Sequence, residues 1–270
     1  MPAPDQQFAG SIPEIYDTCM VPLIFAPYAA DLARRVAAIA PARVLETAAG
    51  TGVVTRALAP LLDQSARYTA TDLNPPMLER AAARQGVDPR ITWQQADATH
   101  LPFAAESFDA VVCQFGAMFF PDRIDGYREA LRVLRPGGRF FFNVWDRIEE
   151  NDFARVVTEA AGAIFPDDPP RFLARTPHGY HDIEQIEAEL RRAGFTTIEI
   201  TTLQHRSEAP DARTPAMAYC QGTPLRDEIE ARDPNALPTV TDRAAAAMAA
   251  LFGPGPVAGR IQAHIVVAGA

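Results

Sequence analysis

Residues 43–58 read Arg-Val-Leu-Glu-Thr-Ala-Ala-Gly-Thr-Gly-Val-Val-Thr-Arg-Ala-Leu. Nothing else in the chain limits the fold as strongly. A short apolar run (Val44, Leu45) meets a turn of small residues (Ala48, Ala49, Gly50, Thr51, Gly52), and an amphipathic stretch (Val53, Val54, Ala57, Leu58) follows at once. The pattern predicts a strand, a tight turn and the start of a helix, the opening half of a βαβ unit. Small residues let a ligand approach the backbone, and a helix start offers unpaired N–H groups.

Further elements follow in alternation. Residues 67–72 predict a second strand, and Asn74-Pro75-Pro76 starts a helix to about Gln85, with proline tolerated in its first turn. Residues 91–97 and 108–114 predict the third and fourth strands. Residues 123–134 carry Ile124, Tyr127, Leu131 and Leu134 at helical spacing. Arg135-Pro136-Gly137-Gly138 reads as a tight turn before a fifth strand, 139–145, apolar enough to be buried on both faces. This order argues for a parallel sheet with helices on both sides. Upstream, a loose terminus (1–12) precedes apolar helical pieces that Pro22 and Pro27 break into two short helices and one longer one, 28–39. Downstream come helices at 152–165 and 182–193, a proline-rich loop at 165–177, and β-like stretches at 195–203 and 259–267. Residues 206–256 lack sheet signals and read as a helical insertion with two alanine-rich pieces.

Charge and side-chain chemistry exclude several classes. The net charge of -9 argues against a nucleic-acid substrate. All 25 basic residues are arginine. Without lysine there is no Schiff base for pyridoxal phosphate or class I aldolase chemistry, and no phosphate loop of the G-K-[ST] type. Cys19, Cys113 and Cys220 are far apart and odd in number, which fits reduced thiols in a cytoplasmic protein. No secretory leader is expected from the first residues, and no apolar run reaches the length of about 18 residues that a membrane span needs.

Acidic residues recur where consecutive strands end: Glu46, Asp72 and Asp97. In an open α/β sheet ligands bind at that edge. A carboxylate after the second strand can accept both hydroxyls of a ribose, one after the third can accept from the adenine amine, and one after the first suits an ammonium. Those three groups belong to S-adenosylmethionine. A nicotinamide dinucleotide is the competitor, but its G-x-G-x-x-G fingerprint lacks the third glycine here, where Thr55 stands. A cofactor-binding protein without turnover is a further alternative.

In these pieces the chain resembles the class I S-adenosylmethionine-dependent methyltransferases, in the small-molecule branch with the ubiquinone/menaquinone C-methyltransferases. The matching segments are Val44–Gly52, Ala70–Leu78, Gln95–Ala98, Leu101–Asp109 and Leu134–Gly138, in that order. The resemblance implies a Rossmann-like α/β fold: a seven-stranded, mostly parallel sheet with helices on both faces, the last strand antiparallel, and a helical cap. The domains expected are an N-terminal helical lid (1–40), a cofactor-binding core (41–205 and 257–270) and the insertion (206–256). By the same resemblance Gly50, Thr51 and Gly52 would line the methionine moiety and Asp72 would hold the ribose. Leu73 and Met77 would lie against the adenine, Asp97 and Ala98 at its edge, and Gln114 at the methionine end. Glu46 and Tyr16 are further cofactor candidates, Tyr16 from the helical piece that folds over the cofactor in the family. Ala48 departs from the family, which often has glycine there; alanine fits if its φ is negative.

The expected activity is methyl transfer to a small, apolar or aromatic acceptor, with no nucleic-acid partner and with a homodimer left open. His178 and His181 are weak candidates for a general base, against a plain surface or cap position. Two histidines three residues apart in a loop do not make a metal site by themselves. Phe115, Phe119, Phe120 and Trp145 suit an apolar substrate pocket or ordinary core.

Overall fold

A computed structural model describes Asp5 and residues 12–270. Most of the expected loose terminus lies outside the described residues. Seven strands form one sheet: β1 (Arg43–Glu46), β2 (Arg67–Asp72), β3 (Ile91–Gln95), β4 (Phe108–Gln114), β5 (Leu134–Trp145), β6 (Thr197–Ala209) and β7 (Val257–Gly269). Their order is β3-β2-β1-β4-β5-β7-β6. β1 pairs in parallel with β2 and β4, β2 with β3, and β4 with β5. The last strand is antiparallel, as expected for this Rossmann-like class. The chain order reverses on either side of β1, which makes its C-terminal end the switch point where such sheets take ligands.

The chain packs as two compact units. One comprises Pro27–Val144, His181–Leu203 and Ala263–Ala270; the other holds Trp145–Tyr180, Gln204–Gln262 and the described part of Met1–Ala26. In the first unit, helices α2 (Ala26–Ala37), α3 (Val53–Leu58), α4 (Pro75–Gln85), α5 (Arg123–Val133) and α8 (Ile183–Ala193) accompany the sheet. Its strands are apolar because they are covered: β4 and the second half of β5 are almost wholly buried. Tyr127, Phe140, Phe142 and Phe195 form an aromatic cluster with centroid separations from 4.8 to 5.9 Å. Asp182 caps α8 by accepting from the N–H groups of Glu184 and Gln185, and Gly194 ends it at φ 112°.

In the second unit α1 (Ile12–Ile15) leads into a π-type stretch, Tyr16–Phe25, that continues directly into α2. Pro22 lies inside this wider ladder and Pro27 in the first turn of α2. The helical path is therefore continuous where two breaks were expected. Helices α6 (Asp152–Ile164), α7 (Phe172–Arg175), α9 (Arg213–Gln221), α10 (Leu225–Arg232) and α11 (Leu237–Phe252) complete this unit. Other differences lie at element ends. The expected turn at Arg135–Gly138 is drawn into β5, with a register irregularity between Phe108 and Ala110. Both late strands run longer than their sequence signals. Among the described residues no helix is long and apolar enough to cross a membrane.

Candidate functional site

The small-residue turn hangs from three strands. Thr47 N–H donates to Val112 O at 2.8 Å and Ala49 N–H to Thr71 O at 2.9 Å; Gly52 N–H closes the turn on Ala49 O at 2.9 Å. Ala48, Gly50 and Gly52 have φ values of 51°, 55° and 77°. Glycine meets that geometry freely, and at Gly52 a side chain would also find the Ala81 Cβ at 3.0 Å. Ala48 corrects the expectation of a negative φ. A left-handed alanine costs about 1 kcal/mol, and room for its methyl comes from Gly116, where a Cβ would stand 2.5 Å from the Ala48 Cβ.

Asp72 ends β2 and is 7% exposed. Its Oδ2 accepts the Gly50 N–H at 2.8 Å; its Oδ1 accepts the Asn74 N–H at 2.8 Å and the Asn74 side-chain amide at 3.3 Å. Burial raises its carboxyl above the ordinary range, against the pull of those N–H groups. The β3 end is tied alongside: Ala96 N–H donates to Asp72 O at 3.1 Å, and Gln95 Nε2 to Leu73 O at 3.0 Å. Asp97 follows one residue later, exposed, with Oδ1 accepting from Thr99 N–H at 2.8 Å and Thr99 Oγ1 at 2.7 Å. Thr99 therefore orients the carboxylate. Met77 is buried and Leu73 and Ala98 are half-buried; Gln114 is buried at the end of β4, next to β1.

Glu46 lies deeper, 1% exposed. Its Oε2 accepts from Thr55 Oγ1 at 2.5 Å and from Tyr68 OH at 2.6 Å. Burial pushes its carboxyl up to about 7, outweighing the two hydroxyls and Arg56, which act in the opposite direction. Thr51, in the middle of the turn, is 1% exposed, and its Oγ1 is buried without a hydrogen-bond partner. Such an orphan is uncommon in a folded chain and marks a place for a ligand or water.

The sequence did not single out Tyr68, Thr55, Gly116 or Asn143. Asn143 lies on β5 beside Gln114, is fully buried, and accepts on Oδ1 at 2.9 Å the N–H of Phe115, which has φ 50°. A threonine on the buried face of α3 was the one available signal for Thr55.

Three further candidates divide between the units: Tyr16 and His178 fall in the helical unit, His181 in the unit of the turn. Tyr16 belongs to the helical unit, where it stacks on Phe25 at 4.9 Å. His178 is in that unit too, buried rather than at the surface; its Nδ1 bonds Asp146 O at 2.8 Å and its ring stands 5.9 Å from Trp145. His181 is half-buried just before Asp182. Phe115 packs edge-on against Tyr28 at 5.4 Å, whereas Trp145 packs against Phe25 at 5.9 Å in the other unit. Among the described residues no group of three or more His, Cys, Asp or Glu side chains gathers as metal ligands.

Known proteins resemble this chain in sequence and in fold. Residues 45–142 match the methyltransferase domain family. A demethylmenaquinone methyltransferase of Clavibacter sepedonicus is 32% identical over 201 residues, 67% of this chain and 78% of that protein. A ubiquinone/menaquinone biosynthesis C-methyltransferase of Bartonella tribocorum is 32% identical over 173 residues, 60% of this chain and 66% of its own length. In fold, the chain is similar to phosphoethanolamine N-methyltransferase 2 of Haemonchus contortus, solved with phosphomonomethylethanolamine and S-adenosylhomocysteine. Its TM-score is 0.58 at 17% identity, covering 96% of this chain and 56% of that one. The YcgJ protein of Bacillus subtilis gives a TM-score of 0.56 at 20% identity, covering 88% and 97%. The cofactor is thus S-adenosylmethionine rather than a nicotinamide dinucleotide, and the chain belongs to the class I S-adenosylmethionine-dependent methyltransferases.

Proposed function

We propose that this methyltransferase acts on a small, apolar or aromatic acceptor and that the turn between β1 and α3, with the neighbouring strand ends, holds its cofactor. The residues suit that group. Asp72 Oδ2 carries one donor, from Gly50, and keeps a lone pair for a ribose hydroxyl. Thr51 Oγ1 has no partner of its own. Asp97, Ala98, Leu73 and Met77 supply the adenine edge and face, and Gly50, Gly52, Ala48, Glu46 and Gln114 the methionine end. Tyr16 is kept as a candidate contact.

The bound cofactor supplies a methyl group already activated on a sulfonium. The chain's task is then mainly to bind and orient, which needs no metal or covalent intermediate in this reading. His178 and His181 are candidate bases only for an acceptor that must lose a proton. The apolar or aromatic acceptor rests on relatives named for demethylmenaquinone methylation and for C-methylation in ubiquinone and menaquinone biosynthesis. The net charge of -9 favours it over a nucleic acid, and three free thiols fit a cytoplasmic setting.

The observation that carries the site is the 2.8 Å bond from Gly50 N–H to the Asp72 carboxylate, which joins turn and acid. Asp72→Ala is expected to abolish S-adenosylmethionine binding by calorimetry while circular dichroism shows the fold intact. Unchanged affinity would overturn the site.

A further inference from the structure

The segment between β3 and β4 has no helix of its own, yet the turn at its start is anchored on both sides. On the β3 side, Ala96 N–H donates to Asp72 O at 3.1 Å. The turn itself closes with His100 N–H on Asp97 O at 3.0 Å, and Thr99 N–H and Oγ1 both bond Asp97 Oδ1. On the far side Leu101 is buried, and an ion pair on α5 takes both of its backbone groups. Glu129 Oε2 accepts the Leu101 N–H at 2.7 Å, and Arg132 Nη2 donates to Leu101 O at 2.9 Å. Arg132 Nη1 also donates to Phe103 O at 2.7 Å. The two side chains bond each other twice, Nε to Oε1 at 2.6 Å and Nη2 to Oε2 at 2.7 Å. We infer that Glu129 and Arg132 are positioning residues for cofactor recognition: they clamp the loop at Leu101 and Phe103 and so fix Asp97 where it reads the amine of adenine. This rests on the proposed cofactor site and adds the residues on which its base specificity depends.

Three observations carry it. Asp97 is exposed and both of its donors fall on Oδ1, so Oδ2 is left to accept from a ligand. A carboxylate selects an amine only when its direction is fixed, because a hydrogen bond weakens steeply once bent. Thr99 sets that direction, and it stands two residues before the clamped Leu101. Secondly, residues 98–104 belong to no helix or strand, so their backbone groups depend on side chains for partners. Thirdly, the guanidinium of Arg132 is a planar fork that spans two carbonyls and a carboxylate at once, a task a lysine ammonium does not match. Arg132 also holds the Glu129 carboxyl below the usual carboxylate range, so the pair stays charged at neutral pH.

The test is calorimetric titration of the full chain with two ligands, S-adenosylhomocysteine and S-inosylhomocysteine, in which an oxo group stands where adenine carries its amine. The unsubstituted chain is expected to prefer the adenosyl ligand by about tenfold or more, the worth of one hydrogen bond to a charged group. Asp97→Ala should remove that preference. Arg132→Met should remove most of it as well, weakening the adenosyl ligand about tenfold and the inosyl ligand by less than about twofold. Glu129→Gln keeps an acceptor for Leu101 N–H and loses the charge that orients Arg132, so it should keep a preference of about threefold; it serves if Arg132→Met does not fold. A merely structural clamp would change both affinities alike. If the clamp variants weaken both ligands equally, or neither, while Asp97→Ala removes the preference, the inference is overturned and the cofactor site stands. A preference absent from the unsubstituted chain, or kept by Asp97→Ala, overturns the place of Asp97 in the cofactor site itself.

Discussion

Two buried polar clusters, one in each unit, differ in how fully their hydrogen bonds are used. In the helical unit Asn151 donates to the carbonyls of Asp146, Arg147 and Gln262 at 3.1 to 3.3 Å and accepts the Gln262 N–H at 3.1 Å. The Asp146 carboxylate accepts from Arg147 N–H at 2.7 Å and from Gln262 Nε2 at 2.6 Å. That cluster is a stitch between the segment after β5 and β7. At the strand ends of the other unit, a buried hydroxyl on Thr51 has no partner, two non-glycine residues (Ala48 and Phe115) sit at positive φ, and Glu46 and Asp72 are raised by burial. Unspent bonds and local strain concentrate at functional sites, because stability there is traded for readiness.

The contrast is broken or sharpened by substitutions in each cluster. Beyond the loss of binding expected for Asp72→Ala, the largest effect concerns stability against pH. Glu46 has a folded value near 7 against 4.5 ordinarily, so the native state holds a proton that the unfolded state gives up. Stability should therefore fall as pH rises from about 4.5 to about 7 and stay level above. That shift corresponds to about 3 kcal/mol. Urea unfolding without ligand at several pH values measures it. Glu46→Gln should remove the slope and be the more stable form at pH 8, while binding S-adenosylhomocysteine more weakly. A slope kept in this variant would place its origin elsewhere.

Next in size is Asn151→Ala, which leaves several buried groups unpaired and should cost about 2 kcal/mol. Its effect should appear in the unfolding midpoint and not in the calorimetric affinity of the folded fraction. If affinity fell as well, the stitch would be part of the binding machinery and the contrast would fail. The smallest effect is expected for Ala48→Gly. Relief of the left-handed backbone, about 1 kcal/mol, is offset by the greater freedom of glycine in the unfolded chain, so stability should shift by less than about 0.5 kcal/mol. A loss well above that would assign the Ala48 methyl a packing role against Gly116.

Most strands were legible because each combines β-branched or aromatic residues with a turn signal at its end. β2 and β4 lie where the alternation predicts them, and α8 begins at Asp182 and ends at Gly194 as its caps require. The breaks expected at Pro22 and Pro27 are not observed: Pro22 falls inside the π-type stretch and Pro27 where that stretch passes into α2. The turn expected at Arg135–Gly138 lies within β5, because β4 pairs with Leu134 before it and with Arg139 after it. Ala48 was the least legible position, because its φ depends on Gly116, which lies far along the chain.

From the sequence alone came the alternation of elements, the small-residue turn and the acids at three strand ends, because these are written in local order and in period. What the folded chain decided is how those acids are used. Asp72 is tied to Gly50, Asp97 is oriented by Thr99, and Glu46 is buried between Thr55 and Tyr68. Hydrogen-bond partners and burial join residues distant in sequence, and the proton affinity of a carboxyl follows from both.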